Sequence, residues 1–296
     1  MPVPLTAHAL RALAWLAGCP GRRLRRRIAE HLAARECRRG SANARVVDCN
    51  LRLVGLDPAL AEPALVQTVL TFLESLRFWT RPPAENLREV IGVDGLEHFE
   101  AAGRAGPVVV VGLHHGNWEL LVQWLAARGP FTLLYTRGKS PTFDGFLRRV
   151  RERCGVTAVA ADAHGLKPLL RSLQRGEAVG IMPDQTPDGA GAAWSTFFGV
   201  PVLTMTLLHR LAARHREARF VLAIARREPD GRFRIVLEPL PDGVTSGTVQ
   251  DGVDALNLAI EAVVRRDPDQ YQWTYKRFKG QRPGEPLVNP YWPECY

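Results

Sequence analysis

Lysine is almost missing from this chain. Only four of its 39 basic residues are lysine (Lys139, Lys167, Lys276 and Lys279), so the net charge of +9 is carried by arginine. Cysteine is scarce too. Cys19, Cys37, Cys49, Cys154 and Cys295 are odd in number, scattered, and form no C-x-x-C pair. That pattern excludes a disulfide framework and a zinc site, and it suits a reducing compartment. No apolar run reaches the roughly 20 residues needed to cross a bilayer. The N-terminal run over residues 5–18 is short and broken by His8 and Arg11, and no basic stretch precedes it as in a cleaved signal peptide. Internal repeats, low-complexity tracts and a G-x-S-x-G nucleophile elbow are also lacking. With 46% hydrophobic and 23% charged residues, the composition excludes a disordered, collagen-like or multi-span membrane chain. A length of 296 residues suits one large domain or two small ones.

Arginine is there instead, in clusters. The surface it makes favours anionic partners. Arg22-Arg-Leu-Arg-Arg-Arg27 directly follows the apolar N-terminal run. An apolar face beside a polybasic cluster fits a helix lying in an anionic membrane interface. The competing reading is a helix packed on the domain with a solvated basic turn behind it. Few aromatics are interleaved with the arginines and no zinc-finger or RNP-type motif accompanies them, so nucleic acid is not an expected partner.

Residues 42–100 read as helical, with one helix over 45–54 and another over 63–79, where Leu65, Val66, Val69, Leu70, Leu73 and Leu76 recur at helical spacing. The pattern then changes. Pro107-Val-Val-Val-Val-Gly-Leu113 is a strand buried on both faces. Strands are expected at 131–135, 178–182, 219–224 and 233–237, and helices at 122–127, 143–153, 166–174 and 252–265. Alternation of this kind predicts an α/β fold: a mostly parallel central sheet flanked by helices, with an N-terminal helical segment. The expected organisation is a basic, membrane-associating segment over 1–40 and a single α/β domain over 41–296.

The most informative stretch is Gly112-Leu-His-His-Gly-Asn-Trp-Glu119. It leaves a buried strand and enters a helix, where open α/β sheets tend to place active sites. His114 and Glu119 are five residues apart across a turn that Gly116 makes easy. A carboxylate that holds one imidazole nitrogen leaves the other free as a base. The expectation is therefore a His114–Glu119 dyad. No nucleophile accompanies it, so the base would act on a hydroxyl brought by the substrate. A structural histidine pair is the bland alternative. A metal site is weaker still, because H-x4-E is not the helical H-E-x-x-H pattern and no third ligand stands near.

His114-x4-Glu119 in the context HHGNWE resembles the late acyltransferases of lipid A biosynthesis. The resemblance continues through Tyr135-Thr-Arg-Gly-Lys-Ser-Pro141, which includes Arg137, and then Asp144, Arg151 and Arg153. It extends to Lys167-Pro-Leu-Leu-Arg-Ser-Leu173, Met182-Pro-Asp-Gln185, Phe197-Phe-Gly-Val-Pro201 and Asp269-Gln-Tyr-Gln-Trp-Thr-Tyr-Lys-Arg-Phe-Lys279, covering roughly residues 42–292. H-x4-E alone is moderately specific, because glycerol-phosphate acyltransferases use a similar H-x4-D. The ordered set is far more specific.

The resemblance implies a glycerol-phosphate-acyltransferase-like fold. It also implies transfer of a fatty acyl chain from an acyl-carrier-protein thioester to the hydroxyl of a hydroxyacyl chain on a lipid A precursor, in lipopolysaccharide biosynthesis. No cofactor or metal is expected. His114 would be the base and Glu119 its partner. Arg151, with Arg153 behind it, is the candidate donor to the oxyanion, or else part of a basic helix face. Asp184 would hold an arginine, shape the site, or cap a loop. Asn117 would cap the following helix or touch substrate. Arg137 joins the candidates through its matching segment. Trp118, Trp124, Phe197 and Phe198 line an acyl channel or are ordinary core. Arginine clusters at 22–27, 148–153 and 276–282 suit an anionic glycolipid, acidic carrier protein or the membrane surface. Attachment to the cytoplasmic face of the inner membrane is expected to be peripheral or monotopic. The same catalytic pair would serve another acceptor, such as a phosphatidylinositol mannoside or an aminolipid.

Overall fold

The computed structural model describes residues 12, 14–16, 18–138, 140–187, 191–280 and 289–296. Most of the apolar run over 5–18, with Lys139 and Arg282, lies outside the described residues. Among the described residues, three long helices precede the sheet: α1 (Arg22–Arg39), α2 (Ala42–Leu53) and α3 (Ala61–Thr80). The α/β unit follows as β1 (Val90–Asp94), α4 (Leu96–Ala105), β2 (Val108–Gly116), α5 (Trp118–Ala126), β3 (Phe131–Tyr135), α6 (Pro141–Arg153), β4 (Val156–Ala160), α7 (Ala163–Gln174) and β5 (Ala178–Ile181). A hairpin of β6 (Ala192–Phe197) and β7 (Val200–Met205) comes next, then α8 (Leu207–Arg214), β8 (Arg219–Arg227), β9 (Phe233–Pro239) and α9 (Val249–Arg266).

Seven strands form one sheet in the order β1-β9-β8-β2-β5-β3-β4. Every neighbouring pair is parallel except β8 with β9. The expected mostly parallel sheet is therefore the one observed. β2 lies at its centre, and its alternation explains the unbroken valine run. Val109, Val111 and Leu113 enter the core on one face, under α2, α7 and α9. Val108 and Val110 enter the core on the other, under α5. A strand covered on both faces has no polar side, so period-2 alternation disappears from its sequence.

Two expectations need correction. Residues 42–100 are not all helical, because β1 adds a parallel edge strand beside β9. Nor is the arginine cluster a turn: residues 22–39 form an 18-residue helix, ended by Gly40 in the left-handed region at φ 56°. Its small buried residues, Ala29 and Ala33, let it pack closely along α3 while most of its arginines face outward.

Candidate active site

Parallel pairing builds the site. β2 and β5 are neighbours with Val111 opposite Ile181. Three residues further along each segment stand His114, still in β2, and Asp184, just past β5, so matched register delivers both to the C-terminal ends of adjacent strands. There the Asp184 carboxylate binds His114 twice. Oδ2 accepts the His114 backbone N–H at 2.8 Å, and Oδ1 lies 2.8 Å from Nδ1. Burial pushes the Asp184 carboxyl upward. The imidazole, its two hydrogen bonds and the nearby Arg277 charge more than offset this and hold it below its ordinary value. The Asp184 side chain is 1% exposed and that of His114 is 18% exposed. The Trp118 ring packs edge-on against the imidazole at 4.9 Å. Nε2 has no hydrogen-bond partner among the described residues. A carboxylate fixing Nδ1–H and a free Nε2 are the parts of a general base.

Glu119 has a different partner from the one expected. No hydrogen bond joins it to His114. It sits in the first turn of α5, nearly buried, and receives Arg151 of α6 in a two-pronged pair, Nη2 to Oε1 at 2.5 Å and Nε to Oε2 at 3.4 Å. The carboxylate on Nδ1 comes instead from the loop after the adjacent strand, which spacing within one chain segment does not reveal. Burial alone would lower the Arg151 pKa, but Glu119 raises it above the ordinary value, so the guanidinium stays charged. The Tyr135 ring lies 5.6 Å from it, within cation–π range. Nη1 of Arg151 has no partner among the described residues.

The two adjacent histidines are not equivalent. His115 is fully buried, and its Nε2 meets the Asp267 carbonyl oxygen at 3.1 Å while Nδ1 has no partner. Burial pushes its pKa down to about 4, helped by the charges of Arg227 and Arg266. It is a neutral core group.

The remaining candidates divide. Asn117 is fully buried; its Oδ1 caps α5 by accepting the Leu120 N–H at 3.2 Å. That makes it a helix cap, with no face open to substrate. Arg153 donates to the Trp79 carbonyl at 2.5 Å and so ties α6 to the end of α3. Arg137 is an exposed residue paired with Asp162 at 3.3 Å, with no contact to His114 or Glu119. Trp118 does line a cavity, but Trp124 and Phe197 are buried core, the latter within a ring cluster with Phe198, Tyr271 and Phe278.

That cavity, about 200 Å³, lies beside Glu119 and Trp118 and runs along α3, with Phe72, Ser75 and Trp79 on one wall and Tyr271 and Gln272 on another. The second wall belongs to a strap over residues 271–278. Its Gln272 N–H donates to the His114 carbonyl at 2.9 Å, and the Tyr271 hydroxyl donates to the Asp184 carbonyl at 3.3 Å. The strap is held from behind. Asn50 donates to the carbonyls of Trp273 and Tyr275, at 2.7 and 2.9 Å, and accepts the Tyr291 hydroxyl at 2.6 Å. Sequence reasoning placed Lys276, Arg277 and Lys279 of this segment in a cluster for an anionic partner, but did not foresee that Arg277 is buried, donating to the Leu203 carbonyl at 2.6 Å. It missed Asn50 altogether, because a buried asparagine in a helix carries no local signal of its distant partners.

The bacterial lipid A biosynthesis acyltransferase family matches this chain over residues 1–280. Among curated proteins, a lipid A biosynthesis lauroyltransferase of Escherichia coli (strain K12) is 25% identical over 210 residues, 71% of this chain and 67% of that protein. A lipid A biosynthesis palmitoleoyltransferase of the same organism is 26% identical over 226 residues, 75% of this chain and 70% of its own. A lipid A biosynthesis myristoyltransferase, again from that strain, is 25% identical over 210 residues, 70% and 64% of the respective chains.

Proposed function

Because this chain belongs to the bacterial lipid A biosynthesis acyltransferases, we propose that it moves a fatty acyl group from an acyl-carrier-protein thioester to the hydroxyl of a hydroxyacyl chain on a lipid A precursor. The observation that carries the reading is the His114–Asp184 pair, with Nε2 unpartnered among the described residues and the imidazole packed against Trp118, which lines an apolar cavity. His114 Nε2 takes the proton of the acceptor hydroxyl as its oxygen attacks the thioester carbonyl. Asp184 stabilises the imidazolium that results. The tetrahedral intermediate places negative charge on the former carbonyl oxygen, and Arg151, held by Glu119, supplies the compensating donor. Collapse breaks the C–S bond and leaves a C–O ester. The thiolate leaves, and the proton on His114 passes to it. Glu119 thus acts through Arg151, and the expected His–Glu dyad becomes two coupled pairs.

In this reading the acyl chain enters the cavity, where Phe72, Trp79 and Trp118 supply apolar surface. Peripheral attachment to the cytoplasmic face of the inner membrane accompanies this reading. The outward arginines of α1 suit anionic headgroups, and no helix among the described residues is long and apolar enough to cross a membrane.

The test is a transfer assay. Purified protein is given acyl-carrier-protein thioesters of several chain lengths and a Kdo-bearing tetraacyl lipid A precursor, with products read by mass spectrometry. One acyl addition, absent in His114→Ala, is expected. Addition only to a different glycolipid, such as a phosphatidylinositol mannoside, would keep the chemistry and change the acceptor. Full activity in His114→Ala would overturn the mechanism.

A further inference from the structure

Beneath the turn that carries His114 and Glu119 lies a buried ion pair. Arg227, in the last position of β8, and Glu74, in the middle of α3, have side chains only 3% and 2% exposed. Arg227 Nη2 donates to Glu74 Oε2 at 2.6 Å, and its Nε donates to both carboxylate oxygens at 3.1 and 3.3 Å. Replacing such a pair with well-packed apolar residues is often neutral or stabilising. Stability is therefore a poor explanation for its presence.

Its connections point to the catalytic turn from both sides. On one side, Glu74 Oε2 accepts Asn117 Nδ2 at 3.2 Å, while Asn117 caps α5 one residue before Trp118 and two before Glu119. Arg227 Nη2 also donates to the Thr71 hydroxyl at 2.9 Å, and that hydroxyl donates to the Gly116 carbonyl at 2.9 Å. Gly116 lies in the left-handed region at φ 59°, where a side chain is strained, and a Cβ there would stand 2.0 Å from the Ala225 carbonyl oxygen. The turn thus has one backbone path, and Thr71 holds its carbonyl. On the other side, the Arg227 backbone exchanges two hydrogen bonds with the Gln270 side chain, at 2.8 and 2.9 Å. Gln270 precedes Tyr271, which bridges His115, and Gln272, which binds the His114 carbonyl. Arg227 Nη1 also binds Gln67, whose amide donates to Asp269 at 2.8 Å.

We infer that Glu74 and Arg227 are positioning residues for acyl transfer: their buried pair sets the turn between His114 and Glu119, and so fixes the base relative to the oxyanion-binding pair. The inference rests on the proposed transfer reaction. Misplacing a catalytic group by about 1 Å costs about 10²-fold in rate. The effect belongs on kcat, because neither side chain reaches the surface where substrate binds.

The test uses the full chain with Glu74→Leu/Arg227→Met, and with Thr71→Val as a milder second variant. Unfolding midpoints, kcat and KM for donor and acceptor are measured from pH 5.5 to 9. The resonance of the His114 Nδ1 proton, identified by its loss in His114→Ala, is followed by NMR without substrate. Retained folding is expected in the double variant, with kcat down by about 10²-fold, KM within about twofold, and a displaced pH profile and Nδ1 resonance. Thr71→Val should lower kcat by about tenfold, the worth of one hydrogen bond to a positioned group. A folded double variant with parental kcat and an unmoved resonance would overturn the inference. If the double variant does not fold, the His114 Nδ1 resonance of substrate-free Thr71→Val decides, since Thr71 also lines the cavity. A parent protein inactive on every glycolipid would refute the transfer reading instead, and the Nδ1 resonance would still report on the positioning.

Discussion

At the scale of single residues, the site separates groups that look alike in sequence. His114 and His115 are neighbours, yet one keeps part of its ring exposed and the other is sealed in the core. Asp184 and Glu119 are both nearly buried carboxylates, one bound to an imidazole and the other to a guanidinium. Asp184→Asn should lower kcat by on the order of 10²–10⁴-fold, since the amide cannot stabilise the imidazolium. Steady-state kinetics with unaltered far-UV circular dichroism would establish that. His115 makes a separate prediction, about stability. Its native pKa of about 4 lies below the ordinary 6.5, so between those values the unfolded chain binds a proton that the native one does not. Stability is then full above pH 6.5 and falls as pH drops towards 4, by about 3 kcal/mol at the limit. The raised carboxyl of Asp267 works in the opposite sense, so the comparison is with His115→Gln. Urea unfolding at pH 4.5 and 7 should show a smaller difference in that variant than in the parent.

At the scale of elements, the elements with strong local signals were readable and those defined by distant partners were not. The valine run of β2, the helical spacing of α3 and the strand-to-helix turn announced themselves. β1 did not, because Val90–Asp94 is a strand only through the β9 edge that receives it. α1 was half legible: its charge was plain, but its helical continuity depends on small residues packing against α3. The His114–Asp184 pair escaped for the same reason as β1. Seventy residues separate the two in sequence, and only parallel register brings them level. Asn117 illustrates a role that local structure decides, as the cap of α5. Asn117→Ala removes the cap and leaves Glu74 without that donor. The expected loss is about 2 kcal/mol, measurable by thermal or chemical unfolding.

At the scale of the whole molecule, charge and topology divide the labour. The parallel sheet brings His114 and Asp184 together beyond the ends of adjacent strands, and α1 spreads its arginines over an outer surface. A protein with +9 net charge and a pI near 9.8 should associate with anionic surfaces in a salt-dependent way. Vesicles containing phosphatidylglycerol should sediment the full chain at low ionic strength and release it at about 0.5 M salt, where the screening length is only a few ångströms. Replacing Arg23, Arg26, Arg27 and Arg35 with glutamine should weaken sedimentation without changing the rate on detergent-dispersed acceptor. Equal sedimentation of that variant would place the membrane contact elsewhere.

The double grip of Asp184 on residue 114 has a further consequence. Only one of its two hydrogen bonds runs to the imidazole; the other runs to the main chain and survives any substitution there. His114→Ala therefore leaves a ring-sized hollow with a carboxylate oxygen on one side and the edge of Trp118 on another. Free imidazole has the shape and the N–H to occupy it. Added at tens of millimolar, it should restore a fraction of the lost turnover in proportion to its neutral form, whereas methylation of both ring nitrogens should abolish the rescue. The enzyme would then be one whose base is a solute, switched on and off by dialysis.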